Sequence, residues 1–196
     1  MSIDHVAITT KDLAATHRFY TEAIGFALVR VEVLDTPTGG WMRHAFYDTG
    51  DGTTLAVFDF HDDTMGPFTT ALSSGLGLPV WANHLAFGAG DLDALEQRRL
   101  RLLDHGVGCV VMDHDSATAL YGDDPNGIMI EFSSMLRPLA AQAPDTAEAL
   151  IHAPSPPVSA PLPAVELFDP AGPRQPTSAI VDAARRRPAE EPAGVR

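Results

Sequence analysis

Apolar and polar residues alternate through Ile3-Asp4-His5-Val6-Ala7-Ile8, and the period then changes: Leu13, Thr16, His17, Tyr20 and Ile24 recur at helical spacing. A strand followed by a helix is expected, with Asp12 as N-cap and Gly25 as the stop. Three more strands are predicted around 28–33, 41–48 and 53–60, separated by the turn sequences Pro37-Thr38-Gly39-Gly40 and Thr49-Gly50-Asp51-Gly52. A Gly-rich bridge over 66–79 follows, and the same order begins again. A strand over 81–87 leads to a cap at Asp91, a helix through Leu92, Leu95, Arg99 and Leu102 that stops at Gly106, and strands near 108–112, 117–122 and 128–133.

The repetition extends to individual residues. His84 in Ala82-Asn83-His84-Leu85-Ala86-Phe87 follows His5 by 79 positions, and Asp91-Leu92 follows Asp12-Leu13 at the same offset. At the far ends, Gly52-Thr53-Thr54-Leu55-Ala56-Val57-Phe58 lines up with Gly127-Ile128-Met129-Ile130-Glu131-Phe132. The expected fold class is α+β: two β-α-β-β-β modules, about 1–65 and 80–137, related by pseudo-twofold symmetry as a curved, partly open barrel around a metal cleft.

The four equivalent posts are then His5, His84, Glu131 and Ala56, which offers two imidazoles and one carboxylate. One such histidine in a strand is ordinarily a hydrogen-bonded core residue. Two at equivalent posts, with a Glu inside an apolar run, point instead to a metal site, because a buried carboxylate must be paired or bound. Two histidines and one carboxylate on one face suit Fe(II) or Mn(II) with open cis positions. Alanine at position 56 removes the fourth carboxylate that a closed or isomerase-like site would use.

Composition narrows the partners. A net charge of −13 over 196 residues repels phosphate backbones, so nucleic acid is not an expected partner. The N-terminal sequence enters a strand pattern without a basic flank and apolar run, so neither secretion nor a membrane partner is expected. Cys109 is the single cysteine, which excludes an internal disulfide and fits a cytoplasmic location. Of the 16 prolines, 12 lie from Pro138 onward. The domain is therefore placed at 1–137, and 138–196 is expected to be a proline-rich extension, partly disordered or packed on the surface. Its apolar residues Ile151, Val158, Leu162, Val165, Leu167 and Phe168 could clamp this domain or a neighbouring subunit; a mobile extension is the alternative. The segment from Arg185 to Arg196 is expected to be disordered, and the chain is expected to form a homo-oligomer.

In the repeated order and the three donors, residues 1 to about 137 resemble the vicinal oxygen chelate superfamily, which includes glyoxalase I, bleomycin and fosfomycin resistance proteins and type I extradiol dioxygenases. Asp12-Leu13 followed by Arg18-Phe19-Tyr20-Thr21-Glu22-Ala23-Ile24-Gly25-Phe26 is similar to that superfamily's first helix. The stretch from His114 through Leu120-Tyr121, Asp124-Pro125-Asn126-Gly127 and Glu131 resembles the extradiol dioxygenase signature, with Met112 as a departure. The resemblance implies iron bound by His5, His84 and Glu131, with Tyr121 and His114 as catalytic groups beside an aromatic diol and O2. Thr53 stands where two-domain extradiol enzymes carry an acid–base histidine, with His44 and His61 nearby in sequence and His61 as the possible substitute. Trp41, Phe46, Phe58, Phe87 and Met129 are candidates to line the pocket. An isomerase or lyase of the glyoxalase type, and a non-catalytic binding protein, are the alternative functions.

Overall fold

The computed structural model describes residues 3–50, 52–139, 141–158, 160 and 162–187. In the first module, β1 (His5–Thr10) leads into α1 (Leu13–Arg18), which Asp12 caps by accepting the Ala15 N–H at 2.8 Å. The helix continues as one π-helical stretch, Phe19–Ile24, and ends at Gly25, whose φ of +97° is left-handed. Strands β2 (Ala27–Asp35), β3 (Trp41–Asp48) and β4 (Thr54–His61) follow, and the sheet order is β1-β4-β3-β2. Two short 3₁₀ turns, Ser74–Leu76 and Val80–Ala82, occupy the bridge. The 3₁₀ turn takes the start of the expected strand at 81–87, so that β5 begins at the histidine itself.

The second module repeats the plan with β5 (His84–Gly88), α2 (Leu92–Asp104), β6 (Cys109–Asp113), β7 (Ala117–Asp123) and β8 (Met129–Met135). Asp91 caps α2 through the Ala94 N–H at 2.8 Å, just as Asp12 caps α1. In each module the first and last strands are parallel neighbours, which places the histidine strand beside the strand that carries its equivalent post. The result is two mixed sheets with few helices, an open α+β arrangement.

Both modules bury their helix-bearing faces in one core. Phe19, Tyr20, Ile24, Leu55 and Val57 of the first meet Leu95, Leu102, Val111, Leu120, Ile130 and Phe132 of the second. Phe26 touches Phe87 edge-on at 5.1 Å, and the buried Tyr20 hydroxyl donates to Asp124 Oδ2 at 3.0 Å. Asp124 in turn holds the Asp-Pro-Asn-Gly turn, accepting the Asn126 and Ile128 N–H groups at 2.8 Å each. Burial and the Asp124 charge push the Tyr20 phenol well above its ordinary range.

The core does not end at residue 137. After α3 (Pro144–His152), β9 (Ala164–Phe168) pairs antiparallel with β6 and makes the second sheet five-stranded, in the order β5-β8-β7-β6-β9. Helix α4 (Ala179–Arg185) then buries Val181 and Ala184, and Phe168 lies in the common core. A buried ion pair on α2 latches this segment. Arg99, with no exposed surface, pairs with Glu96 and donates to the Gln175 carbonyl at 3.1 Å, while Glu96 accepts the Ser178 N–H at 2.8 Å. Arg185, expected to be disordered, instead closes α4 and pairs with Asp182 and Asp93. Residues 188–196 of that expectation lie outside the described residues. No helix among the described residues is long and apolar enough to cross a membrane.

Candidate metal and ligand site

Strand alternation assigns each side chain to a face. On β8, Ile130 and Phe132 enter the core, so Met129, Glu131 and Ser133 project from the opposite, helix-free face. The register carries that face across the sheet: Ala86 is level with Glu131, His84 with Met129, and Tyr121 of β7 with Glu131. His84, Glu131 and Tyr121 therefore share one helix-free surface, and His114 reaches it from just beyond β6.

These four groups form a continuous polar chain. His84 Nε2 lies 2.9 Å from Glu131 Oε2, the Tyr121 hydroxyl is hydrogen-bonded to Glu131, and His114 Nε2 lies 2.9 Å from that hydroxyl. The Tyr121 ring stands edge-on between both imidazoles, at 6.2 Å from each. Burial, and then the charge and hydrogen bond of Glu131, push the Tyr121 phenol up, so it remains a proton donor at neutral pH.

The proton positions on His84 follow from its partners. Its Nδ1 meets the Trp81 carbonyl at 3.0 Å, and because a carbonyl only accepts, Nδ1 carries the proton. In the neutral ring, Nε2 then presents a lone pair toward a carboxylate oxygen. That is the arrangement of a metal-binding imidazole oriented by its second nitrogen, and a cation or an added proton reconciles the two lone pairs.

His5 shows the same orientation, with Nδ1 held by Asp4 Oδ1 at 2.8 Å and Nε2 left over, but it stands on the other sheet. Ile8 and Val57 mark the helix side of that sheet, so His5, Ala56, Phe58, His44 and Phe46 occupy its helix-free face. The chain thus brings together His84, Glu131, Tyr121 and His114 and leaves His5 apart. Among the described residues, no three His, Cys, Asp or Glu groups are placed to hold one metal ion. The physical reason is the shared core: modules joined through their helix-bearing faces turn their opposite faces to different surroundings. The donor set fits a divalent cation at His84 and Glu131 and is one ligand short within a single chain.

Sequence reasoning named His44 only as a neighbour of the missing acid–base histidine and preferred His61. Its ring stacks on Phe58 at 3.9 Å and packs against Phe46 at 4.0 Å, and its buried Nε2 has no hydrogen-bond partner among the described residues. Burial lowers its pKa, opposed by the Glu32 charge and assisted by that of His5. The parity of β3, with Ala45 and Tyr47 in the core, was the available signal. His61 lies on the opposite, helix side, paired with Asp59 at 2.9 Å and stacked on Trp41 at 3.9 Å. It is not on the His5 face. Trp41 and Phe87 likewise leave the candidate pocket lining, whereas Phe46, Phe58 and Met129 are on helix-free faces.

The fold and its paired modules agree with comparison to known proteins. The model of the Glyoxalase/Bleomycin resistance protein/Dioxygenase superfamily matches residues 2–132, and the chain belongs to that family. A solved glyoxylase/bleomycin resistance protein/dioxygenase domain from Frankia sp. EAN1pec is 20% identical, with a TM-score of 0.54 over 69% of this chain and 98% of that one. A glyoxalase family protein from Enterococcus faecalis is 23% identical, with a TM-score of 0.49 over 68% and 97% of the two chains. TnmS3, an antibiotic binding protein from Streptomyces sp. CB03234, is 21% identical, with a TM-score of 0.48 over 69% and 96%. No curated protein matches the sequence.

Proposed function

We propose that this protein is an Fe(II)-dependent extradiol dioxygenase, with Mn(II) as the alternative metal, acting on a catechol-type diol and O2 in the cytoplasm, where the unpaired Cys109 stays reduced. The observation that carries this reading is the chain His84–Glu131–Tyr121–His114 on one helix-free face. His84 and Glu131 would hold the metal, with His5 as the third donor. When bound, the metal supplies a template for both oxygens of the diol and an electron path to O2. Tyr121 donates a hydrogen bond to a diol oxygen from a phenol held protonated, and His114, in contact with its hydroxyl, accepts or returns the proton.

His5 reaches this site from a second copy of the chain. Its sheet carries no helix on the His5 side, where Phe46, Phe58 and Phe60 stay only partly buried, an apolar surface that association would cover. A symmetric pair would set the His5 face of each subunit against the Glu131 face of the other. The isomerase or lyase reading uses the same donors but lacks a carboxylate at Ala56 to act as base. A non-catalytic binding protein has no use for the oriented His84–Glu131 pair.

The test is anaerobic Fe(II) loading, metal analysis and an oxygen electrode with a panel of catechols. Stoichiometric iron with catechol-dependent O2 uptake supports the proposal. Iron binding with no uptake moves the function to the isomerase or lyase class, and absence of metal binding favours the ligand-binding class.

A further inference from the structure

We infer that the strand contributed by the C-terminal extension forms one wall of the ligand pocket, where Leu167 selects compounds that carry an uncharged apolar ring beside their oxygen donors. This strand lies outside residues 2–132, the part of the chain that matches the family. Its register with β6 is continuous, placing Leu167 level with Val110 and Val165 level with Met112. Val110 is in turn level with Tyr121. The apolar strip and the Tyr121 hydroxyl therefore lie on the same face of the same sheet.

The alternation of β9 separates anchors from displayed residues. Phe168 is buried beneath the Arg99 guanidinium, 4.4 Å from its ring, and Glu166 accepts the Ser178 hydroxyl at 2.7 Å and the Ile180 N–H at 3.3 Å. Those contacts fix the strand. The residues between them, Val165 and Leu167, are 47% and 75% exposed on the side of the candidate site.

A cavity of about 550 Å³ occupies this end of the sheet, lined by Val110, Tyr121, Asp123, Met129, Leu167 and Pro170 among others. That volume is in the range of small-molecule sites, and an apolar wall with a polar group at one end is their usual composition. Tyr121 joins the cavity to Glu131 and His84, while Asp123 and Asp169 stand among its lining and disfavour an anionic substituent. Such a space, beside convergent polar groups, suits a small molecule, and the His5 face of a second copy would close over it.

The inference rests on the proposed function only for the donor end of the ligand, and its test avoids that dependence. The probe is 3-phenylphenol, which has the apolar ring but lacks the vicinal oxygens needed to chelate a metal. Equilibrium dialysis with the full-length protein compares wild type, Leu167→Asp and, as a control, Val158→Asp, a change in the same extension at a position 92% exposed. Wild type and the control should bind equally, and Leu167→Asp should bind roughly tenfold more weakly or worse, since a ring loses most of its apolar contact. Thermal melts should show all three folded, because Leu167 is itself largely exposed. Equal binding by Leu167→Asp, or no binding by wild type, overturns the inference. A Leu167→Asp variant that changes subunit association by light scattering but not probe binding also overturns it, and assigns the strip to an interface. Leu167-dependent binding without catechol turnover leaves this wall in place and removes the dioxygenase reading alone.

Discussion

The two modules start from the same design and finish with different surfaces. Each opens with a histidine strand, caps its helix with an aspartate and lays its last strand beside its first. On the second sheet, the post beside the histidine strand is Glu131, and a polar chain runs from it through Tyr121 to His114. On the first sheet the equivalent post is Ala56, which is fully buried, and its neighbours are Phe46, Phe58 and a stacked His44. The second sheet gains a fifth strand from the extension, while the first ends at a largely exposed β2. Two equal frames thus end in different faces: one links a carboxylate to a tyrosine and two imidazoles, the other sets two imidazoles among aromatic rings beside the Arg30–Glu32 pair.

Exchange of ligands between the faces breaks this comparison most sharply. Removing one of three donors should weaken metal binding by about 10³-fold, so His5→Ala and His84→Ala should each lose stoichiometric iron. Mixed after co-refolding, the two variants should recover about a quarter of the wild-type sites, because half of a random set of dimers is mixed and each mixed dimer holds one intact pair of faces. Metal analysis and O2 uptake read this. No recovery on mixing would place His5 and His84 in one subunit's site.

The extension gives the next effect. Arg99→Ala leaves Glu96 buried without its cation and should cost about 3–5 kcal/mol in urea denaturation. Phe168→Ala should cost a similar amount through the cavity it leaves. A loss below about 1 kcal/mol in both would mean that the second sheet is effectively four-stranded, like the first.

A smaller effect is expected at the groups proposed to move protons on the second face. Tyr121→Phe and His114→Ala should retain iron and lower catechol-dependent turnover by roughly 10²-fold. Unchanged turnover in both variants would remove their catalytic roles.

The smallest effect tests the aromatic face. His44 has a pKa below the ordinary 6.5, set by burial against the opposing Glu32 charge and with His5 nearby. The unfolded chain therefore takes up this proton first as pH falls. Stability contributed by neutral His44 is present above about pH 6.5 and is lost as pH falls through the folded value. His44→Phe should flatten the acid side of the melting-temperature profile by comparison with wild type. Identical profiles would mean that His44 has the same proton affinity in the folded and the unfolded chain.

Much of the architecture was legible because it is local. Asp12 and Asp91 cap their helices through N–H groups three residues on, and strands at Trp41–Asp48 and Ala117–Asp123 follow from alternation and turn residues. The 79-residue offset between His5 and His84 announced the two modules. The extension was less legible, since proline density signals irregular chain whether or not a short strand such as Ala164–Phe168 finds an edge to pair with. The boundary at 137 marks the end of the repeat and not of the core.

The face on which a side chain lies, by contrast, needs only the parity of its strand, and His44 and His61 were separable on that ground. What no local pattern contains is the relation between distant surfaces. Sequence alone determined the repeated elements and the three candidate donor posts, because these depend on neighbours a few residues apart or on symmetry between copies. Tertiary packing alone decided that Tyr121 and His114 join Glu131, that Leu167 comes level with Val110, and that His5 faces away from His84. The first two follow from strand register within the second sheet, whereas the place of His5 depends on which faces the two modules bury against each other, a choice made by the summed apolar area of the whole core.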